Sequence, residues 1–323
     1  MKLTNTMKLT GMAAASALAL NSAQAEIELS PNLKISGFAD MSAYIADTSP
    51  GDSENGMNLD QVEIDLAASF EKVTGNIDLE WRTGGDVTVE QAYVSYKFDE
   101  KSSFTAGRFL SYMGYEGDEP YKLFQYSYAY DFGLPYAGYN DGVKYDYTED
   151  KFSFGAALLS ANYGRDSRVS DEFGIETKAT FTPAEGWTIF AGYSYDSKEF
   201  SDNISYYNLW VQYQKEKLTL AAEIGKLDDE DAASGLPSHL FWLVMANYAV
   251  SDTVGITGRI SSQDVEDGGG SNLKFTVSPS YKISSNLLAV FEASYTDYSD
   301  VDLGEGEELK SGTFFAAELL FTF

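Results

Sequence analysis

From residue 33 onward, hydrophobic and polar side chains take turns along the chain with a period of two. That spacing places alternate residues on opposite faces of a β-strand. Segment 61–70 shows it cleanly. Val62, Ile64, Leu66, Ala68 and Phe70 share one face; Gln61, Glu63, Asp65, Ala67 and Ser69 share the other. The next segment sets Ile77, Leu79 and Trp81 against Asn76, Asp78, Glu80 and Arg82. A helix would scatter these residues around its circumference. Sixteen such strands are predicted, at 33–45, 57–70, 73–82, 87–98, 103–109, 138–147, 152–163, 173–182, 187–195, 204–214, 218–227, 240–250, 254–262, 272–281, 287–295 and 312–323.

The connections sort into two kinds that alternate along the chain. The short set is 71–72, 99–102, 148–151, 183–186, 215–217, 251–253 and 282–286; the longer set is 46–56, 110–137, 164–172, 196–203, 228–239, 263–271 and 296–311, with only 83–86 brief among them. Short turns on one side and long loops on the other describe a bacterial outer-membrane barrel, and an even strand number puts both chain ends on the short-turn side. One face, carrying Leu218, Leu220, Ala222 and Ile224 or Leu287, Ala289, Phe291 and Ala293, would meet acyl chains. A soluble sandwich core could use the same face. Closure favours the barrel, because in hydrocarbon only a closed sheet pairs every backbone N–H and C=O. Tyr96, Phe98, Trp187, Tyr213, Tyr248, Tyr281 and Tyr295 fall near strand ends, where interfacial aromatic girdles form. The expected fold is therefore an all-β, transmembrane, antiparallel up-and-down barrel.

The first residues fix the expected compartment. Lys2 and Lys8 precede an apolar stretch of small residues at 11–20, and Ala23 and Ala25 frame an A-x-A cleavage site. This pattern is a secretory signal peptide, too short to span a bilayer as a helix. Residues 1–25 are thus expected to be removed, leaving 26–323 as one barrel domain in the outer membrane of a Gram-negative bacterium. Removal takes two lysines and no acid, so 20 basic and 50 acidic side chains remain, a formal net of −30. Such a charge repels nucleic acid. There is no cysteine, hence no disulfide framework and no thiolate metal site. In the last strand Phe315, Ala317, Leu319, Phe321 and Phe323 share one face and the final residue is aromatic. That arrangement looks like the assembly signal read by the barrel insertion machinery, carried here by Phe315, Leu319, Phe321 and Phe323.

A family resemblance lies between residues 91 and 145. The chain reads Gln91-Ala92-Tyr93-Val94-Ser95-Tyr96, Ala106-Gly107-Arg108-Phe109 and Met113-Gly114-Tyr115-Glu116. It continues with Tyr126-Ser127-Tyr128-Ala129-Tyr130-Asp131-Phe132, Pro135 and Asn140-Asp141-Gly142-Val143-Lys144-Tyr145. This resembles the OmpL-like β-barrel porin family, in which a similar order of motifs surrounds the long loop after the fifth strand. The likeness implies an outer-membrane diffusion channel and carries over no catalytic set. The Pro-Glu-Phe-Gly loop and arginine cluster of trimeric porins are absent; the five arginines are at 82, 108, 165, 168 and 259. A homotrimer is expected only by analogy with other sixteen-stranded porins.

A barrel of sixteen strands is too wide for side chains to fill, so it encloses water unless plugged. The expected restriction is the loop at 110–137, longer than ordinary connections and bearing Glu116, Asp118, Glu119 and Lys122, with Arg108 just before it as a further constriction candidate. It either folds into the lumen, where those carboxylates would narrow and charge the passage, or covers the mouth from outside. Alternation assigns Asp40, Glu63, Asp65, Asp78, Glu80, Asp146, Glu176, Glu223, Glu292 and Glu318 to the lumen, with Lys34, Arg82, Lys97, Lys144, Lys178, Arg259 and Lys274. The wall is then polar and nearly balanced, with most excess acid in external segments such as 47–54, 228–231, 266–267 and 300–308. Acidic vestibules favour cations, so a mild cation preference is expected. Arg108 conflicts with alternation, which points it at lipid; a rim position or a bulge would resolve this.

No enzyme chemistry is indicated. His239, the single histidine, is expected in a surface loop beside Pro237 and Ser238, and extended neighbours point apart rather than forming a nucleophile–base pair. Gly268-Gly269-Gly270 lacks the Lys and Ser/Thr of a phosphate loop, and 228–231 lacks EF-hand spacing. No cofactor or metal is implied. The expected partners are membrane lipid, the insertion machinery and small hydrophilic solutes. Passive diffusion through the lumen is the leading reading; a non-conducting structural or adhesive barrel, with its external loops as contact surface, is the alternative.

Overall fold

The computed structural model describes residues 26–51, 53–117, 119–160, 173–197, 203–229, 237–266, 268–304 and 307–323. The expected leader with Ala23 and Ala25, together with Asp118, Arg165, Arg168, Asp231 and Asp267, lies outside the described residues. A short strand, β1 (Ile27–Ser30), precedes β2 (Leu33–Ser49), β3 (Ser53–Phe70), β4 (Val73–Arg82), β5 (Thr88–Lys97) and β6 (Ser102–Leu110). There follow β7 (Tyr139–Glu149), β8 (Phe152–Leu159), β9 (Gly174–Phe181), β10 (Trp187–Asp196), β11 (Ile204–Lys215) and β12 (Leu218–Asp228). The chain ends with β13 (His239–Ala249), β14 (Val254–Val265), β15 (Gly270–Ser284), β16 (Leu287–Gly304) and β17 (Glu307–Thr322).

Strands β2 to β17 each pair antiparallel with their sequence neighbours, and β17 pairs with β2 from Thr322 against Phe38 to Ser311 against Ser49. The result is a closed barrel of sixteen strands. Beyond that ladder the Gly37 and Phe323 amides donate to each other's carbonyls, at 2.9 and 3.0 Å. Strand β1 then covers the strip of β2 that β17 does not reach, with Ile27 opposite Ile35. Among the described residues closure leaves no long unpaired edge in the ring, which is the condition hydrocarbon imposes on a sheet.

The inner-end turns follow from local chemistry. Asp150 and Glu216 sit in the left-handed region (φ 26° and 52°), as two-residue hairpin turns require. In the turn between β5 and β6, the Lys101 and Ser102 amides donate to Asp99 Oδ1 at 2.8 Å each, and the Ser102 hydroxyl donates at 2.9 Å. These bonds, led by that from the Lys101 amide, hold the Asp99 carboxyl below its ordinary pKa. At the outer end the chain projects further, largely as continued ladder: Asp47 opposite Ser53, Val265 opposite Gly270 and Gly304 opposite Glu307. Segments 46–56, 263–271 and 296–311 lack alternation because a hairpin rising above a membrane has water on both faces, so a binary pattern no longer marks it.

The outer wall is apolar and exposed, as at Leu220, Val244, Ile256 and Phe275. Tyr96, Phe98, Tyr145, Trp187, Tyr248 and Tyr281 are exposed close to the short turns and form an aromatic belt there. Trp187 and Tyr213 pair within it at 5.0 Å between ring centres.

Candidate functional site in the barrel lumen

The connection between β6 and β7, residues 111–138, turns into the barrel rather than over its mouth. Two glycines make the entry geometry. Gly107 (φ 131°) lets β5 and β6 approach so closely that a Cβ would lie 2.7 Å from Tyr93 Cα and against the Ala92 carbonyl. Gly114 (φ 91°) turns beneath the Tyr136 ring, where a Cβ would sit 2.5 Å from Cζ. The Ser111 amide donates to the Gly138 carbonyl at 2.7 Å and closes the loop base.

From there the loop docks on an apolar patch of inner wall. Met113, Tyr130 and Tyr136 pack with Phe190 on β10, Tyr206 on β11 and Phe241, Leu243 and Met245 on β13. Tyr130 meets Phe241 edge to face at 4.9 Å. Removing these surfaces from water drives the docking; directed bonds set its register. Glu223 receives the Tyr115 amide, the Asn208 side chain and the Tyr130 hydroxyl, each at 2.8 Å. Glu176 receives the Ser111 hydroxyl at 2.6 Å and the Tyr112 amide at 3.1 Å. Glu292 receives the Ser127 hydroxyl at 2.5 Å and amide at 2.8 Å. Lys274 pairs with Asp131 at 2.6 Å. On the far wall Tyr126 donates to Ser42 Oγ at 3.1 Å and Tyr121 packs on Phe38 at 5.2 Å. The loop therefore crosses the lumen.

Its centre is Glu116. Arg259 Nη1 donates to Glu116 Oε1 and Oε2 at 2.8 and 2.9 Å, and the two side chains are 0 % and 2 % exposed. The Gln125 side chain and the Ala129 amide complete the carboxylate's shell at 2.7 and 2.8 Å. Glu116 was expected to charge the passage. Instead it is neutralised, and it clamps the loop on itself and on β14. Arg108 does not join the constriction either: it lies on the outward face at the outer end of β6, 3.4 Å from Asp141 on β7. Of the loop candidates, Lys122 is exposed with its ammonium 5.4 Å from the Tyr121 ring centre, and Glu119 is buried, receiving the Tyr139 hydroxyl.

The remaining lumen assignments fall into sectors. Lys144 lies over Phe109 (4.3 Å), and Lys178 lies over Tyr112 (4.1 Å) and pairs with Asp146 at 3.0 Å. Arg259 and Lys274 are consumed by the loop. The wall of β17 and β2 to β5 is different. It gathers Asp40, Asp60, Glu63, Asp65, Asp78, Glu80, Glu90 and Glu318, faced by Glu119, with Arg82 bonded to Glu80 and 3.8 Å from Glu90. Lys34 and Lys97 are exposed; Lys34 pairs with Glu26 on the β1 side. A wall that is nearly balanced in total is thus strongly acidic on one side.

Two of those acids escape a reading by alternation. Strict period two groups Asp60 with Val62 and Ile64, and Glu90 with Ala92 and Val94, on the lipid face. The ladders slip at both places: Asp40 pairs with Gln61 but Met41 with Leu59, and Asp78 pairs with Gln91 but Leu79 with Val89. Each bulge inserts one extra residue and so brings an acid inward. Tyr126 reaches Asp60 Oδ2 at 3.5 Å, and Glu90 is buried.

His239 is not a surface-loop residue but the buried first residue of β13, with Nδ1 2.7 Å from the Pro237 carbonyl and its ring against Phe241. Ser238 Oγ accepts the Asp229 amide.

A model of the family described as "Putative beta-barrel porin-2, OmpL-like" matches residues 32–323. No curated protein matches in sequence. Among solved structures, the chain is similar to the OmpF of Salmonella typhi in complex with daunomycin, at 17% identity and TM-score 0.72, covering 93% of this chain and 100% of that one. It is similar to the anion-selective porin of Comamonas acidovorans at 12% identity and TM-score 0.71, covering 90% and 99%. In vitro folded OmpT of Vibrio cholerae, in its trimer form, matches at 16% identity and TM-score 0.63, covering 90% and 100%. At such identities the likeness is one of fold.

Proposed function

Because the chain belongs to the OmpL-like β-barrel porin family, we propose that it forms an outer-membrane channel for passive diffusion of small hydrophilic solutes and ions, with a preference for cations. The observation that carries the cation preference is the segregation of charge. The acidic sector of β17 and β2 to β5 lies below an acidic outer projection on β16, β17, β2 and β3, with Asp47, Glu54, Asp297, Asp302, Glu307 and Glu308. Lys310 is the only base among the described residues of that projection. A one-sided row of fixed negative charge raises the local concentration of cations along it. No reaction is assigned: the carboxylates either hold the loop or line the wall. In this reading residues 1–25 are cleaved on export, Phe315, Leu319, Phe321 and Phe323 guide insertion, and three copies assemble as in the trimer form of the Vibrio cholerae OmpT.

Planar-bilayer recording of the purified, folded protein tests this. We expect stepwise ion conductance and, in a salt gradient, a reversal potential with the sign of cation preference. A reversal potential of opposite sign overturns the selectivity. The crossing of the lumen by residues 111–138 supports the second reading, a structural or adhesive barrel, and electrical silence would establish it.

A further inference from the structure

We propose that Glu63 on β3, Glu90 on β5 and Glu119 on the lumen loop together bind one divalent cation of the calcium class, which ties the loop to the acidic wall. Each of the three offers a carboxylate oxygen, and these oxygens lie within 4.8 Å of one another. Calcium–oxygen distances of about 2.3–2.6 Å allow any two ligands of one ion to be up to about 5 Å apart. The residues are 3 %, 6 % and 7 % exposed, so three carboxylates meet away from bulk water. Enclosed like charges of this kind are neutralised by a shared proton or by a bound cation. Arg82 is the nearby base. It is 3.8 Å from Glu90 Oε1 and already bonded to Glu80.

A second observation points to a ligand. Glu90 Oε2 is buried and makes no hydrogen bond of its own. Its carboxylate faces this group only because the bulge at β5 turns it off the lipid face. The adjacent group of Glu63, Asp65 and Asp78 also satisfies the distances, but its members are better supplied with donors. Asp78 receives Asn76 and Gln91, at 2.5 and 2.6 Å, and Asp65 receives Ser36 at 3.2 Å. The chemistry favours calcium over magnesium. Ligands from two strands and a loop form an irregular oxygen set, which calcium accepts with waters completing six to eight positions; magnesium demands near-octahedral geometry.

The test is isothermal titration of chelator-stripped, detergent-folded full-length protein with calcium chloride, and separately with magnesium chloride. It does not depend on whether the barrel conducts. We expect one saturable calcium site per barrel, weaker for magnesium, with affinity reduced at least about tenfold in Glu90→Gln and Glu119→Gln and unchanged in Asp47→Asn on the outer projection. Glu119→Gln leaves every strand intact and reports the site even if Glu90→Gln fails to fold. Absence of saturable calcium binding overturns the proposal. So does binding that survives both substitutions, which would place the ions on the outer acids.

Discussion

Arg259 and Glu116, separated by 143 residues in the chain, meet inside the barrel as an enclosed ion pair in which one guanidinium nitrogen reaches both carboxylate oxygens. Arg259 Nη2 also donates to the Tyr128 carbonyl at 3.0 Å. One side chain thus organises a loop that enters the lumen from the opposite wall.

Glu116→Gln should release that loop. It strands an enclosed guanidinium, which costs about 3–5 kcal/mol where water is excluded, and the wet lumen places the expected loss near the lower end, about 3 kcal/mol. Limited proteolysis should cut within 111–138 faster while the barrel keeps its folded electrophoretic mobility, and single-channel conductance should rise. Removing both partners, as Glu116→Leu with Arg259→Met, should be milder than either single change. Unchanged proteolysis in Glu116→Gln would refute the clamp.

Gly114→Ala tests the turn. An alanine there adopts an unfavourable φ, about 1–3 kcal/mol of strain, and its methyl meets the Tyr136 ring. We expect loop release like that of Glu116→Gln with normal barrel folding. Equal protection of mutant and parent from protease would show that the turn adapts.

Neutralising the acidic sector should shift selectivity without altering the fold. In Asp40→Asn/Asp60→Asn, the cation-to-anion permeability ratio should fall toward one. The parent's ratio should itself fall as salt rises from 0.1 to 1 M, since the screening length shortens from about 10 Å to about 3 Å. A ratio indifferent to both changes would mean that these acids lie off the conducting path.

Omitting Phe323 removes the reciprocal bonds with Gly37 that extend the closing seam. Refolding into lipid vesicles should give a smaller fraction of the compact, heat-modifiable form and a slower approach to it. Parent-like kinetics would remove any role of this residue in closure.

Much of the barrel was legible in the sequence because lipid on one side and water on the other impose alternation, and the sixteen predicted strands correspond to β2–β17. The lumen was less legible. Period two put Glu63, Asp65, Asp78 and Glu80 on the correct face but could not register the slips that carry Asp60 and Glu90 inward, since a bulge is a backbone event without a residue signature. Nor could it pair distant charges. Glu116 read as a free acid because its partner, Arg259, lies far along the chain. The apolar patch of Phe190, Tyr206 and Phe241 reads as ordinary strand sequence until the loop that covers it is in place. Arg108 read as a misfit, and proximity to Asp141 at the outer end of its strand accounts for it.

The slips at Asp60 and Glu90 bear on how such a wall can change over generations. In a ladder of strictly alternating faces, one added codon inverts every later position in the strand, exposing acids to lipid and leucines to water. Where the surplus residue is absorbed on the spot, as beside Met41 and Leu79, the downstream order survives. Single-residue insertions and deletions at these two places therefore offer the lineage a route to retune its interior that leaves the rest of the strand in step.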